Sequence, residues 1–136
     1  MKYLSDYTEQ AQNECFEKYG VFFAFSEKQF KEGCEKVGAT KENKVASFGS
    51  GGYVLVKNRD LLIDELNHIH DKAINKDIAE NGIVKIIHRE LANYETQITG
   101  DIQEVTEILK DYKITEEQIK KEYKIFYKKC IKNDWF

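Results

Sequence analysis

A chain of 136 residues has the length of one ordinary domain, and 41% apolar residues suffice for a core beneath a surface rich in the 33% that are charged. No apolar run approaches the roughly 20 residues that cross a bilayer, and MKYLSDYTEQAQ lacks the apolar stretch of a secretory signal, which together predict a single cytoplasmic domain over 1–136 with no membrane partner. A net charge of −3 excludes wholesale attraction to nucleic acid but leaves local patches open.

Ser5 is placed to cap a first helix to about Tyr19, with Tyr7, Ala11, Cys15 and Phe16 turned inward and Gly20 as its stop. The aromatic run Val21–Phe25 reads as a short buried strand. Ser26 with Gln29 forms a capping box for a helix from Glu27 to about Lys36. After the polar loop GATKENK, Val45–Phe48 and Tyr53–Lys57 read as a hairpin around Gly49, Ser50, Gly51 and Gly52, with Phe48 and Tyr53 facing each other across the strands.

Asn58 or Asp60 is placed to cap a long helix in which Leu62, Leu66, Ile69 and Ala73 recur at helical spacing, ending at Asn81 and Gly82. IVKIIHRELANY carries Ile83, Ile86, Ile87, Leu91 and Tyr94 on one side and reads as a buried helix. The break NYETQITGD reads as an exposed loop in which Asp101 caps a helix bearing Ile102, Val105, Ile108 and Leu109. Thr115 with Gln118 is a second capping box, opening a helix to about Lys132. The fold class is therefore α+β: a helix-rich domain of about five helices on a small, mainly antiparallel three-stranded sheet.

Charge divides the second half of the chain. Glu90, Glu95, Asp101, Glu104 and Glu107 make the stretch after Arg89 acidic, whereas Lys113, Lys120, Lys121, Lys124, Lys128, Lys129 and Lys132 make the end basic. On the last helix, at about 100° per residue, Ile119, Tyr123, Phe126, Tyr127 and Cys130 share one side. Lys121, Lys124, Lys128 and Lys132 fall in a stripe nearly opposite, suited to a phosphate backbone or an acidic groove. Trp135 and Phe136 add an aromatic end that closes the core or docks on a partner.

Enzyme signatures are weak by comparison. The glycine-rich tip has no Gly-Lys-Ser/Thr after it, and the third position of a GxGxxG pattern would fall on Val54, so it reads as a hairpin turn with backbone amides to offer. Cys15, Cys34 and Cys130 lack metal-ligand spacing and read as reduced structural thiols. His68 and His70 point about 200° apart on a helix and cannot share a metal. His88 could pair with Glu90 or with an acid elsewhere, and an enzyme reading would centre on His88, Glu90 and Glu95. No metal or cofactor is predicted.

The blocks YLSDYTEQAQ, FFAFSEKQF, DKAINKDIAENG, HRELANYE and TGD resemble, in their order, a small uncharacterised family found in phages and other mobile elements of anaerobic gut-type bacteria. They are spread over about two thirds of the chain, and no catalytic assignment comes with them. The resemblance implies a setting in which small acidic proteins act by binding host machinery. The sequence thus predicts a non-enzymatic, anti-CRISPR-like interaction protein whose partner is a host protein effector or its guide RNA. It would act through the acidic segment or the lysine stripe. The alternative is a small nucleic-acid-binding accessory protein using the same lysines.

Overall fold

The computed structural model describes residues 2–136. Among them are seven α-helices and three strands, a helix-rich α+β architecture. The residues cluster in two compact units, one ending at Ala73 and the other beginning at Ile74.

In the first unit, α1 (Leu4–Tyr19) begins ahead of the expected Ser5 cap. The Tyr3 backbone N–H donates to the Asp6 carboxylate at 2.8 Å, so a carboxylate in the first turn does the capping and Ser5 lies inside the helix. Gly20, at φ 68°, closes it. β1 shrinks to Phe22–Phe23 because the Phe25 amide is drawn to the Gln29 side chain at 2.8 Å, which commits the chain to the next helix. That helix, α2 (Glu27–Val37), opens on the Ser26 hydroxyl, which accepts from the Gln29 N–H at 3.2 Å.

β2 (Val45–Gly49) and β3 (Gly52–Leu55) form an antiparallel hairpin, and β1 pairs antiparallel with the other edge of β3. The turn is Ser50-Gly51, both with positive φ (51° and 78°), the primed geometry whose twist matches that of the strands. A bulge at Phe48 breaks the register between Ser47↔Tyr53 and Gly49↔Gly52. Phe48 and Tyr53 therefore do not face each other, contrary to the simple hairpin reading. The Phe48 ring lies 6.1 Å from Phe16 and 6.4 Å from Phe23, whereas Tyr53 stacks on Phe22 at 5.5 Å and meets Phe30 edge-on at 5.0 Å.

The sheet is thus lined with aromatics on both faces. On one, Cys15, Val54 and Leu62 are buried among Phe16, Tyr19, Val21, Phe48, Leu66 and Ile69. On the other, α2 approaches so closely that a Cβ built on Gly33 would lie 2.1 Å from the Phe22 ring. α3 (Val56–Asn81) leaves β3 without a loop, and the Val56 N–H is still bonded to the Lys44 carbonyl at 2.8 Å. The strand partner supplies what a cap would, so neither Asn58 nor Asp60 caps the helix; the Asn58 amide reaches the Tyr19 carbonyl at 3.4 Å instead.

The second unit is helical. It holds the end of α3, then α4 (Ile83–Asn93), α5 (Thr96–Thr99), α6 (Gln103–Leu109), a 3-10 turn at Lys110–Tyr112 and α7 (Glu116–Asn133). Gly82, at φ 77°, separates α3 from α4 where the expected stop lies. The break expected as an exposed loop instead contains α5, and Thr96 is fully buried because its hydroxyl donates to the Leu91 carbonyl at 2.9 Å. Asp101 accepts the Gln103 N–H at 2.9 Å but stands one residue before the helix N-cap, which is Ile102 and has no side-chain cap bond, so the expected Asp101 cap is replaced by a local turn ahead of α6. The core gathers Ile86, Ile87, Leu91, Val105, Leu109, Ile119, Phe126 and Cys130.

Candidate nucleic-acid interface

α7 starts on a complete capping box: the Thr115 hydroxyl accepts from the Gln118 N–H at 3.3 Å, and the Gln118 side chain accepts from the Thr115 N–H at 2.8 Å. This fixes the phase of the helix, so Ile119, Glu122, Phe126 and Cys130 turn into the core. Lys121, Lys124, Lys128 and Lys132 are consequently exposed, and none of the four has an ion-pair partner among the described residues. They extend along about 16 Å of helix, from the rise of 1.5 Å per residue. Lys120 differs, being held by Glu116 at 3.3 Å.

Beyond α7 the chain doubles back. Asp134 takes a left-handed φ of 54°, and the Trp135 N–H bonds to the Cys130 carbonyl at 3.0 Å. The Trp135 carbonyl then accepts from the Gln97 side chain at 2.9 Å, and the Phe136 ring meets Tyr127 edge-on at 5.9 Å. The aromatic end does not close the core: Trp135 is 51% exposed and Phe136 58%.

Of the acidic candidates, Asp101 and Glu107 line one shallow depression, and Glu90 does not join a surface. Glu95, Asp101, Glu104 and Glu107 are exposed, but Glu90 is buried, with Arg89 Nε 2.9 Å from its carboxylate. Placing Glu90 on a partner-binding surface is therefore corrected: it neutralises a buried guanidinium. Arg89 also clamps Asp77, Nη1 to Oδ1 at 2.9 Å and Nη2 to Oδ2 at 3.0 Å. The Tyr112 hydroxyl and Asn81 amide donate to the same carboxylate at 2.5 Å and 2.7 Å. Burial alone would raise the Asp77 carboxyl, but the bonds from Arg89, Tyr112 and Asn81 outweigh it and hold it below the ordinary value. Burial and the bond to Asp77 push the Tyr112 phenol up.

Of the two pairings open to His88, with Glu90 or with an acid elsewhere, the structure shows the second: its Nε2 lies 3.1 Å from Glu122 on α7, and its ring meets Phe126 edge-on. His68 is exposed and His70 half-buried on α3. No group of three or more His, Cys, Asp or Glu among the described residues could hold a metal ion. Cys15 and Cys130 are buried and Cys34 half-buried, all as free thiols; burial first, then the nearby Glu65, raises Cys15, and burial raises Cys130. Gly49, Ser50, Gly51 and Gly52 form the hairpin tip, where the exposed Phe25 ring covers Gly51 so closely that a Cβ there would lie 2.4 Å away.

A family model covers residues 4–129, and it describes a family of unknown function, DUF7659. The chain belongs to this family. No curated protein and no solved structure matches. The matched stretch contains the buried Asp77, Arg89 and Tyr112 and the stripe lysines Lys121, Lys124 and Lys128. Lys132, Trp135 and Phe136 lie outside it. No helix of the described residues is long and apolar enough to cross a membrane.

Proposed function

We propose that this protein is a non-enzymatic binding protein of a phage or other mobile element, acting in the cytoplasm against a bacterial defence system. On this reading it inhibits an RNA-guided nuclease by holding the guide RNA on the lysine face of α7. The observation that carries the reading is the row of Lys121, Lys124, Lys128 and Lys132, exposed and without carboxylate partners among the described residues. Unpaired lysines in a line attract phosphates, and the counterions they displace drive association. The engagement of His88 with Glu122, and of Glu90 with Arg89, supports binding rather than catalysis as the task of this unit.

The same face serves the alternative role, a nucleic-acid-binding accessory protein without a nuclease target. Capture from host lysate, with and without nuclease digestion, separates the possibilities. Guide RNA recovered with its effector, and lost on digestion, supports the inhibitor. Bulk nucleic acid without an effector supports the accessory role. An effector retained after digestion would move attention to Glu95, Asp101, Glu104 and Glu107, the exposed carboxylates suited to a basic channel. Reversing Lys124 and Lys128 to glutamate should abolish RNA capture.

A further inference from the structure

The lysines are only part of that face. Tyr127, expected on the packed side of α7, is not among its buried residues; with Ile131 one turn on, it borders Lys124 and Lys128 instead. Ile131 is 59% exposed and Tyr127 38%, and the returning chain adds Trp135 at 51% and Phe136 at 58%. The Phe136 ring lies 5.9 Å from that of Tyr127, so exposed rings from the helix and from the returning chain meet beside the lysines, an arrangement that marks a contact surface rather than a scatter of surface residues. From Lys124 to Phe136 the acidic side chains number one, Asp134, against Lys124, Lys128, Lys129 and Lys132. The cluster is thus aromatic and basic together.

We infer that Lys124, Tyr127, Lys128, Ile131, Trp135 and Phe136 form a binding site for single-stranded nucleic acid, in which unpaired bases stack on the rings while the lysines hold the phosphates. This rests on the reading of α7 as the nucleic-acid face and narrows its substrate. Duplex bases are already stacked on each other and offer a surface helix only their backbone, for which exposed rings serve no purpose. Single strands present base faces and phosphates side by side, the combination that an aromatic platform bordered by lysines fits. The platform is also ordered before binding. The bonds from Gln97 to the Trp135 carbonyl and from the Trp135 N–H to Cys130 hold the returning chain, and Phe136 rests on Tyr127. Little freedom is then lost when a base stacks.

Trp135 is the one tryptophan in the chain, so its emission reports on the platform directly. The full chain is titrated with single-stranded RNA, single-stranded DNA, the corresponding duplexes and polyglutamate. Single strands should quench Trp135 and bind at least tenfold more tightly than duplexes, and the preferred strand tells RNA from DNA. Phe136→Ala should weaken strand binding by about 5- to 150-fold, the range set by loss of one stacked base, and so narrow the preference for strand over duplex. Phe136→Tyr should restore it, and circular dichroism should show both variants folded. Duplex bound as tightly as strand, or unchanged emission at saturation, overturns the platform; if Lys124→Glu with Lys128→Glu still abolishes binding, the lysine face survives without it. No nucleic acid bound at low salt, or polyglutamate bound equally well, overturns both.

Discussion

Arg89 grips Asp77 through two parallel hydrogen bonds, at 2.9 Å and 3.0 Å, with both side chains buried. A two-pronged pair removed from water has its desolvation offset only while every member keeps its partners, which here include Glu90, Tyr112 and Asn81. Removing one member leaves the opposite charge stranded. Asp77→Asn or Arg89→Met should each destabilise the protein by about 3–5 kcal/mol in urea unfolding. The double variant should lose less than the sum, because the second change strands nothing new from the pair.

The pair also sets the direction of the pH response. The folded-state Asp77 carboxyl lies below its ordinary 3.8, since the bonds from Arg89, Tyr112 and Asn81 outweigh the burial that would raise it. Its stabilisation is therefore present above pH 3.8 and lost as pH falls through the lower folded value. Tyr112 works in the opposite sense: raised above 10.0 by burial and then by Asp77, it stabilises below pH 10.0, and that stabilisation is lost as pH rises through the folded value. Melting temperatures across both limbs should show a shallower acid fall in Asp77→Asn and a shallower alkaline fall in Tyr112→Phe. Unchanged limbs would contradict the network.

Gly33 offers a test of the first unit. Glycine within a helix is ordinarily about 1 kcal/mol worse than alanine, so Gly33→Ala would stabilise an open site. Here the new methyl would meet the Phe22 ring at 2.1 Å, against which neither helix nor sheet can easily yield. Overpacking of this kind costs about 1–3 kcal/mol, so the sign of the effect should reverse. Chemical denaturation should show Gly33→Ala destabilised, and Phe22→Leu in the same chain should recover part of the loss.

At the start of α7, Thr115→Ala removes a hydroxyl that accepts the Gln118 N–H. The expected loss is about 1 kcal/mol in thermal or urea unfolding. Since the box fixes where the helix begins, the same change should also weaken RNA binding modestly, whereas a substitution at the solvent-facing Glu117 should do neither.

Local features were readable in the sequence because their chemistry is local. The Thr115–Gln118 box, the Ser26 cap and the apolar period of Ile86, Ile87 and Leu91 each involve residues within a turn of one another. The buried ion network was harder, since Asp77, Arg89 and Tyr112 meet from three separate segments. A signal was nevertheless present. Asp77 continues the inward spacing of Leu66, Ile69 and Ala73; Glu90 lies four residues after Ile86; Glu122 lies between Ile119 and Phe126. Three acids on apolar stripes demand buried cations or donors, and Arg89 and His88 supply them. The Phe48 bulge had no such signature, because alternation alone cannot reveal one extra residue in a strand.

The lysine face of α7 is the centre of the account, and salt dependence of RNA binding tests it most directly. If Lys121, Lys124, Lys128 and Lys132 each neutralise one phosphate, log affinity for single-stranded RNA should fall against log salt with a slope of about −3. Neutralising two of them with Lys124→Gln and Lys128→Gln should cut the slope by about half. A wild-type slope near zero, or one that this double neutralisation leaves unchanged, would contradict the assignment of this face to nucleic acid.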